Sequence, residues 1–406
     1  MFGVFRQMSV PKFSARTLRW IFRYGQCIGV IFFCLQKESK GGDKVSVCRW
    51  MKWLSLTHRL VTYCRFFYSG SAYQFFSSHR VAQFLHASRL FLSIPIVLFI
   101  SGYQIFRSPE IIELVNKFLH LFWQVRILFK PERIGFGGRR ELILILISSV
   151  CLIHELTYLW FTTKEELSWS FFLNWWCDAY VVGSTNMFIH INFMAYLSLG
   201  VLYSDVNKYV RDHLTTQLHN LDISTSKQKI RKLQNRLDKC LYLYREIYNI
   251  SISFQRLFVL PLFLTLINKV VLVAMIGIRM IIDFSFSGIV FWTLIIKHTM
   301  DLLLLTISAQ GALNQFRIIR RPNLEIGKAG DLKEFRTTLE IFYIHLNLCQ
   351  FRVCILGLCD VSNELFLIIL SALATWLSFV AQYRMQMKTI HQSQDHPGSL
   401  AILLAW

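Results

Sequence analysis

Long stretches with almost no charged residue recur along this 406-residue chain, and they constrain its fold more than any other feature. Crossing a hydrocarbon core ~30 Å thick takes roughly 20 mostly apolar residues in one α-helix. A helix also satisfies its own backbone hydrogen bonds, which lipid cannot do. We therefore predict an all-α membrane protein with seven transmembrane helices, at about 16–36, 82–106, 141–163, 168–203, 257–278, 284–308 and 363–383. The first is the weakest, because Arg16, Arg19 and Arg23 leave only residues 24–36 uncharged.

The composition agrees with this class. Charged residues make up 17% of the chain, whereas an average soluble domain carries about 25%. A net charge of +20 would suggest nucleic acid as a partner of a soluble protein. In a membrane protein, Lys and Arg instead collect in cytoplasmic segments, so we expect the lipid bilayer as a partner and no nucleic acid. The ten cysteines form no Cys-x-x-Cys pair and no zinc-like Cys/His spacing, so we expect no metal and no cofactor.

The distribution of basic residues predicts the orientation of the chain. With the N-terminus inside, the predicted cytoplasmic segments hold 29 Lys and Arg and the external ones 12. Positive residues favour the cytoplasmic side, so the N-terminus is predicted to be cytoplasmic, which argues against a G-protein-coupled receptor. The first loop, residues 37–81, is an exception, with eight basic residues on the predicted external side.

The connecting segments suggest how the chain is organised. Residues 1–203 carry the first four predicted spans, 257–308 carry the fifth and sixth, and 384–406 form a short extracellular tail. Segments 204–256 and 309–362 are predicted to be cytoplasmic. Apolar residues recur in 204–256 at a spacing that lines one face of a helix, and this helix is predicted to extend into the fifth span: Ile230, Leu233, Leu237, Cys240, Tyr244 and Ile247.

The last span carries a polar stripe. Ser371, Thr375, Ser378 and Gln382 are spaced 4, 3 and 4 residues apart, so they share one face of a helix. A polar stripe costs free energy in hydrocarbon unless it faces protein or water. It could line an aqueous pore built from several copies of the helix, or it could let helices pack closely.

The same helix resembles that of the insect gustatory receptors. Their last helix has Thr-Tyr, five hydrophobic residues and Gln-Phe, and this chain has Thr375-Trp376, five residues and Gln382-Tyr383. Both departures keep an aromatic ring, and Ser378 interrupts the hydrophobic five. Upstream, residues 357–360 (Gly-Leu-Cys-Asp) resemble the family's lead-in to this helix, although Leu358 is not aromatic.

The resemblance implies a tetrameric, non-selective cation channel gated by a small-molecule tastant. It implies a homo-tetramer, or a hetero-tetramer with other gustatory receptor subunits, in the plasma membrane of chemosensory dendrites. The last helices would surround the pore, with Gln382 and Tyr383 near the external gate, and the cytoplasmic segments would form the anchor between subunits. Sugar-sensing members usually carry an acid where this chain has Leu377, which favours a bitter or other aversive ligand.

Polar and aromatic residues in the outer halves of the spans are candidates for ligand binding, because such residues are costly in a membrane without a partner or purpose. These candidates are His154, Glu155, Trp175, Trp176, Asp178 and Lys269. Glu155 and Lys269 could instead pair with each other, and the tryptophans could anchor at the headgroups. Lys297 and Asp301, four residues apart, are predicted to pair, and His298 is predicted to be a packed histidine.

Three other classes of protein compete with this interpretation. An odorant-type receptor channel shares the topology and differs mainly in the motif of the last helix. A metabotropic receptor disagrees with the charge count and with the lack of an Asn-Pro-x-x-Tyr motif. A multi-pass enzyme would need a catalytic cluster at a membrane face, and the best candidates, His154-Glu155 and His298-x-x-Asp301, match no known motif. The chain is therefore predicted not to be an enzyme.

Overall fold

The computed structural model describes residues 10–37, 43–68, 81–128, 136–162, 169–215, 227–283, 289–318 and 351–395, with isolated positions at 217, 337, 340, 341 and 344. Helices dominate these residues, so the predicted all-α class is confirmed. The elements are α1 Val10–Cys27, β1 Phe33–Lys37, β2 Asp43–Val47, α2 Arg49–Tyr68, α3 Val81–Phe106, α4 Ser108–Leu128, α5 Arg139–Thr162, α6 Trp169–Tyr209, α7 Lys227–Asp283, α8 Ile289–Ile318, β3 Cys354–Ile355, β4 Cys359–Asp360 and α9 Asn363–Asp395. A π-helical turn, Val210–Thr215, continues α6.

Six of the seven predicted spans fall on helices α3 and α5 to α9. By length and apolar character, four helical stretches among the described residues can cross a membrane: Trp175–Leu214, Gln228–Ile278, Trp292–Arg317 and Asn363–Met387. The α3–α4 pair, bent by 76° between Phe106 and Ser108, would make a fifth if it is one span. Seven crossings therefore remain a prediction. Helix α9 also runs on to Asp395, twelve residues beyond the predicted end of the pore helix.

The prediction of a single helix at 16–36 is wrong. Helix α1 ends at Cys27, the chain turns at Gly29 with a φ of 69°, and β1 pairs antiparallel with β2. Both ends of this segment contact the connection between α3 and α5. The Phe136 N–H donates to the Pro11 carbonyl (3.0 Å), and the Val45 N–H donates to Asn116 Oδ1 (2.7 Å). Residues 11–37 and 43–45, which we call the re-entrant segment, thus enter the bundle and return on the same side.

Helix α2 holds this re-entrant segment in place. The Gly29 carbonyl accepts hydrogen bonds from Ser55 Oγ (3.0 Å) and Arg59 Nη2 (2.8 Å). Buried Arg59 also contacts Gln104 Oε1, so both of its Nη atoms donate to neutral acceptors. A cation near the C-terminal end of a helix is favourable because the last carbonyls are unsatisfied. Arg59 therefore acts as a cap for the end of α1.

The 57-residue helix α7 is continuous from the predicted cytoplasmic segment into the predicted fifth span. The apolar face identified from the sequence is buried: Leu233, Leu237, Cys240, Tyr244 and Ile247. The predicted helical extension is therefore confirmed. This face packs in the largest hydrophobic cluster, whose other main contributors are α6 and α8. Helices α6 and α8 approach closely, since a Cβ built at Gly200 would lie 3.4 Å from Ala312 Cα.

Candidate functional site

Four helices bring six ionisable side chains together in the core of the bundle. Each is at most 4% exposed, although charged groups are normally kept out of such an environment. Helix α5 contributes Glu155, α6 contributes His190, α7 contributes Lys269, and α8 contributes Lys297, His298 and Asp301. We call this set the charge network.

Asp301 lies at the centre of the charge network. Its Oδ2 is 2.8 Å from Lys269 Nζ and 2.8 Å from Lys297 Nζ, and its Oδ1 is 3.4 Å from His190 Nε2. Lys297 Nζ is also 2.6 Å from Glu155 Oε2. Two lysines thus face two carboxylates, which balances the charge. Buried ions are tolerated when they are paired and hydrogen-bonded in this way.

Neutral groups complete the charge network. Lys269 Nζ donates to Asn186 Oδ1 and lies 3.0 Å from His298 Nδ1. His190 Nδ1 is 2.8 Å from Ser148 Oγ, which links α6 to α5. Asn186 and His190 are four residues apart and therefore share one face of α6. The charge network consequently connects α5, α6, α7 and α8 through polar contacts alone.

The predicted pairings have different outcomes. The Lys297–Asp301 pair is confirmed at 2.8 Å. A direct Glu155–Lys269 pair is not formed, because Glu155 pairs with Lys297 and Lys269 with Asp301. His298 is buried, as expected of a packed histidine, and it contacts Lys269. His190 and Asn186 were not expected from the sequence, although their spacing of four residues on a long apolar span is a usable signal.

The remaining ligand candidates are placed as follows by the described residues. Trp175 packs beside the cluster of Ile94 and Val97, and Trp176 packs edge-on against His58 with ring centroids 6.0 Å apart. Asp178 lies on α6, but its side chain is not among those described. His154 is half-buried and borders a cavity between α5 and α8.

This cavity connects the outer surface of the bundle to the charge network. Its volume is about 420 Å³, and its lining is mostly apolar, within the range of ~300–1,000 Å³ that is typical of ligand pockets. Val150 and Ile296 form its outer walls, and Cys151, His154 and Lys297 also line it. A molecule in the cavity would therefore contact the lysine that holds both carboxylates.

The last helix packs sparsely against its own bundle. Only 6% of the residues in its most apolar stretch are buried, compared with 50–67% in the other three candidate spans. Ile369, Leu373, Leu377 and Val380 are half-buried against the bundle, whereas the predicted polar stripe of Ser371, Thr375, Ser378 and Gln382 is exposed. Tyr383 is 57% exposed. The polar stripe thus faces away from the chain that carries it.

Apolar helices around a buried charge network, with one long helix left largely uncovered, define a polytopic helical membrane protein. Comparison with known proteins identifies the family. A family model described as "7tm Chemosensory receptor" matches residues 18–387, and the chain belongs to this family. The resemblance to insect gustatory receptors is thereby confirmed, and this family comprises receptors and not a class of enzymes.

The most informative relatives are gustatory receptors of Drosophila melanogaster. Gustatory receptor 92a is 54% identical over 386 residues, which cover 95% of this chain and 99% of the relative. Gustatory receptor 93b is 36% identical, with 95% and 98% covered. Among solved structures, the insect olfactory receptor OR5 from Machilis hrabei matches with a TM-score of 0.58 at 12% identity, covering 91% of this chain and 99% of that one. Its complex with eugenol gives a TM-score of 0.53. At this identity the structural match establishes the fold.

Proposed function

We propose that this chain is a subunit of a ligand-gated, non-selective cation channel that detects a small-molecule tastant. The observation that carries the proposal is the exposed polar stripe of α9. A row of hydroxyl and amide groups costs free energy against lipid tails and therefore calls for another chain or water. Four copies of α9 around one axis would give each stripe an aqueous path to face. The assembly is a homo-tetramer or a hetero-tetramer with other gustatory receptor subunits.

In this proposal the pore is lined by Ser371, Thr375, Ser378 and Gln382, with Gln382 and Tyr383 at the external gate. A ring of bulky side chains can stop ions by excluding water. The stripe carries no acidic residue, which supports weak selectivity among cations. Leu377 occupies the position that is usually acidic in sugar-sensing members, so the ligand is a bitter or otherwise aversive compound. The site of action is the plasma membrane of chemosensory dendrites.

The ligand acts on the charge network through the cavity between α5 and α8. A ligand opens a channel only to the extent that it binds the open state more tightly. Because Lys297 lies both in the cavity lining and between Glu155 and Asp301, a bound molecule can favour one arrangement of these contacts. The eugenol complex of the olfactory receptor supports a small organic ligand for this fold.

Cysteine accessibility tests the pore directly. Ser371→Cys, Thr375→Cys and Ser378→Cys receptors would be expressed in a heterologous cell and exposed to a membrane-impermeant cationic thiol reagent during agonist-evoked current. We expect irreversible block at these positions and none in the parent chain. Trp376→Cys, on the same helix but about 130° around it from the centre of the stripe and 43% exposed, is the matched control. Equal block at position 376, or no block on the stripe despite surface expression, would contradict the proposal.

A further inference from the structure

Three sulfur atoms converge where the re-entrant segment meets α2. Cys34 Sγ lies 3.9 Å from Met51 Sδ, and Cys48 is the diagonal neighbour of Cys34 on the same face of the hairpin. All three side chains are half-buried, so they are accessible from the surface. Neither taste reception nor the pore accounts for this arrangement.

The backbone fixes the positions of the three sulfurs. Cys34 lies in β1 opposite Ser46 of β2. Cys48 follows β2, and its N–H donates to the Phe32 carbonyl (3.3 Å), which extends the ladder by one residue pair. Its own carbonyl accepts the first hydrogen bond of α2 from Lys52 (3.1 Å), so Met51 follows within the first turn. The paired strands β1 and β2 and the start of α2 therefore position the site.

The donor set indicates which ligand fits. Thiolate and thioether sulfurs are soft ligands, which select Cu(I) over hard cations. A metal–sulfur bond of ~2.3 Å in a trigonal plane places the sulfurs about 4 Å apart, in agreement with the Cys34–Met51 separation. Among the described residues no three His, Cys, Asp or Glu side chains converge on a metal position. The thioether of Met51 therefore provides the third ligand here, and zinc, which usually takes four ligands, is a poorer fit.

We propose that Cys34, Cys48 and Met51 form a three-sulfur site for a soft monovalent metal ion, Cu(I). Binding releases the two thiol protons, so one Cu⁺ and two thiols give a bis-thiolate complex of net charge −1 and two H⁺. The N-terminus of α2 and Arg49, directly after Cys48, offset this charge. The hairpin lies on the same side as the α3–α5 connection, which the sequence places in the cytoplasm, where thiols stay reduced. The bound ion fastens the re-entrant segment to α2.

Competition for Cu(I) tests the site without any need for channel activity. The full-length receptor in lipid nanodiscs, reduced and oxygen-free, would be titrated with Cu(I) against a chromophoric Cu(I) chelator. We expect the wild type to retain one Cu(I) per chain. Loss of a ligand should weaken retention by about 10- to 100-fold or more in Cys34→Ser and Cys48→Ser, and less in Met51→Leu. Cys27→Ser and Cys64→Ser, which remove exposed thiols elsewhere, should retain the ion.

Two outcomes would overturn the proposal. One is complete transfer of Cu(I) from the wild-type receptor to the chelator. The other is unchanged retention in the Cys34→Ser/Cys48→Ser double variant. X-ray absorption of the wild-type complex provides a measurement that needs no variant to fold. It should show three sulfur neighbours at about 2.3 Å, and nitrogen or oxygen neighbours in their place would equally reject the site.

Discussion

Gly277 of α7 leaves the space that Leu377 of α9 fills: a Cβ built at Gly277 would lie 2.6 Å from Leu377 Cδ2 and 2.7 Å from Cδ1. The helix that carries Lys269 is thus in close contact with the last helix. Lys269 and Gly277 are about two helical turns apart, or ~12 Å along the axis. Since α9 has few other buried residues, this contact is a direct mechanical route from the charge network to the proposed pore.

Gly277→Ala should change gating and leave folding intact. The added methyl group must displace Leu377, whereas alanine raises intrinsic helix stability by about 1 kcal/mol relative to glycine. We expect a several-fold change in agonist sensitivity or in current without agonist, at normal surface expression. Gly102→Ala is the control, because nothing lies within 4 Å of a Cβ at that position. Adding Leu377→Ala should restore the response, and a strictly additive double variant would argue against coupling.

Asp301→Asn should destabilise the receptor strongly. The change leaves Lys269 and Lys297 with Glu155 as the remaining carboxylate of the charge network, and uncompensated buried charge costs about 3–5 kcal/mol. Thermal unfolding of purified protein and surface expression are the measurements, with a lower midpoint expected. Glu113→Gln is the control, because its pair with Lys117 is exposed to solvent and should matter little. Recovery on adding Lys269→Met, which rebalances the charge, would support the account, and wild-type stability of Asp301→Asn would refute it.

Val150→Trp should abolish the agonist response, or raise the agonist concentration that it needs, by filling the cavity between α5 and α8. Val150 lines this cavity and is 64% exposed, so the larger ring is tolerated sterically on the outer surface. Ile153→Trp, 48% exposed on the same helix and not among the lining residues, should leave the response unchanged. The measurement is the concentration–response curve of each variant, compared with that of the parent receptor at matched surface expression. Equal effects of the two variants would mean that the ligand does not use this cavity.

Arg59→Met should loosen the re-entrant segment. Removing the guanidinium leaves the Gly29 carbonyl with Ser55 as its remaining donor, and an under-satisfied buried polar group costs about 1–3 kcal/mol. The expected result is faster proteolysis within residues 28–48 and a lower thermal midpoint. Exposed Lys44→Met removes a nearby charge without touching Gly29 and serves as the control. An unchanged cleavage pattern in Arg59→Met would show that the hairpin is held by other contacts.

The long apolar helices could be predicted from the sequence because each one forms its backbone hydrogen bonds within itself, without contacts from the rest of the chain. The re-entrant segment could not, since its turn and its second strand accept hydrogen bonds from side chains that are distant in sequence: Ser55, Arg59, Gln104 and Asn116. The sequence of α2 resembles a polar loop, although it forms a 20-residue helix, because it carries four basic residues: Arg49, Lys52, Arg59 and Arg65.

For the charge network, sequence spacing was sufficient to predict the Lys297–Asp301 pair, because both residues lie on one helix. It could not decide whether Glu155 meets Lys269 or Lys297, because that choice depends on how α5, α7 and α8 are rotated against one another.

The return of residues 11–45 to their starting side resolves the distribution of basic residues. A crossing helix at 16–36 would place Lys37, Lys40 and Lys44 in an external loop. In the folded chain, β1 and β2 return to the side from which α1 starts, because Pro11 and Val45 both contact the α3–α5 connection. With these three lysines on that side, the basic residues that remain in the predicted external loop fall from eight to five. Three lysines on this side add to the positive charge that keeps the N-terminal end of a membrane protein from being translocated, so we expect the hairpin to act as a retention signal during insertion.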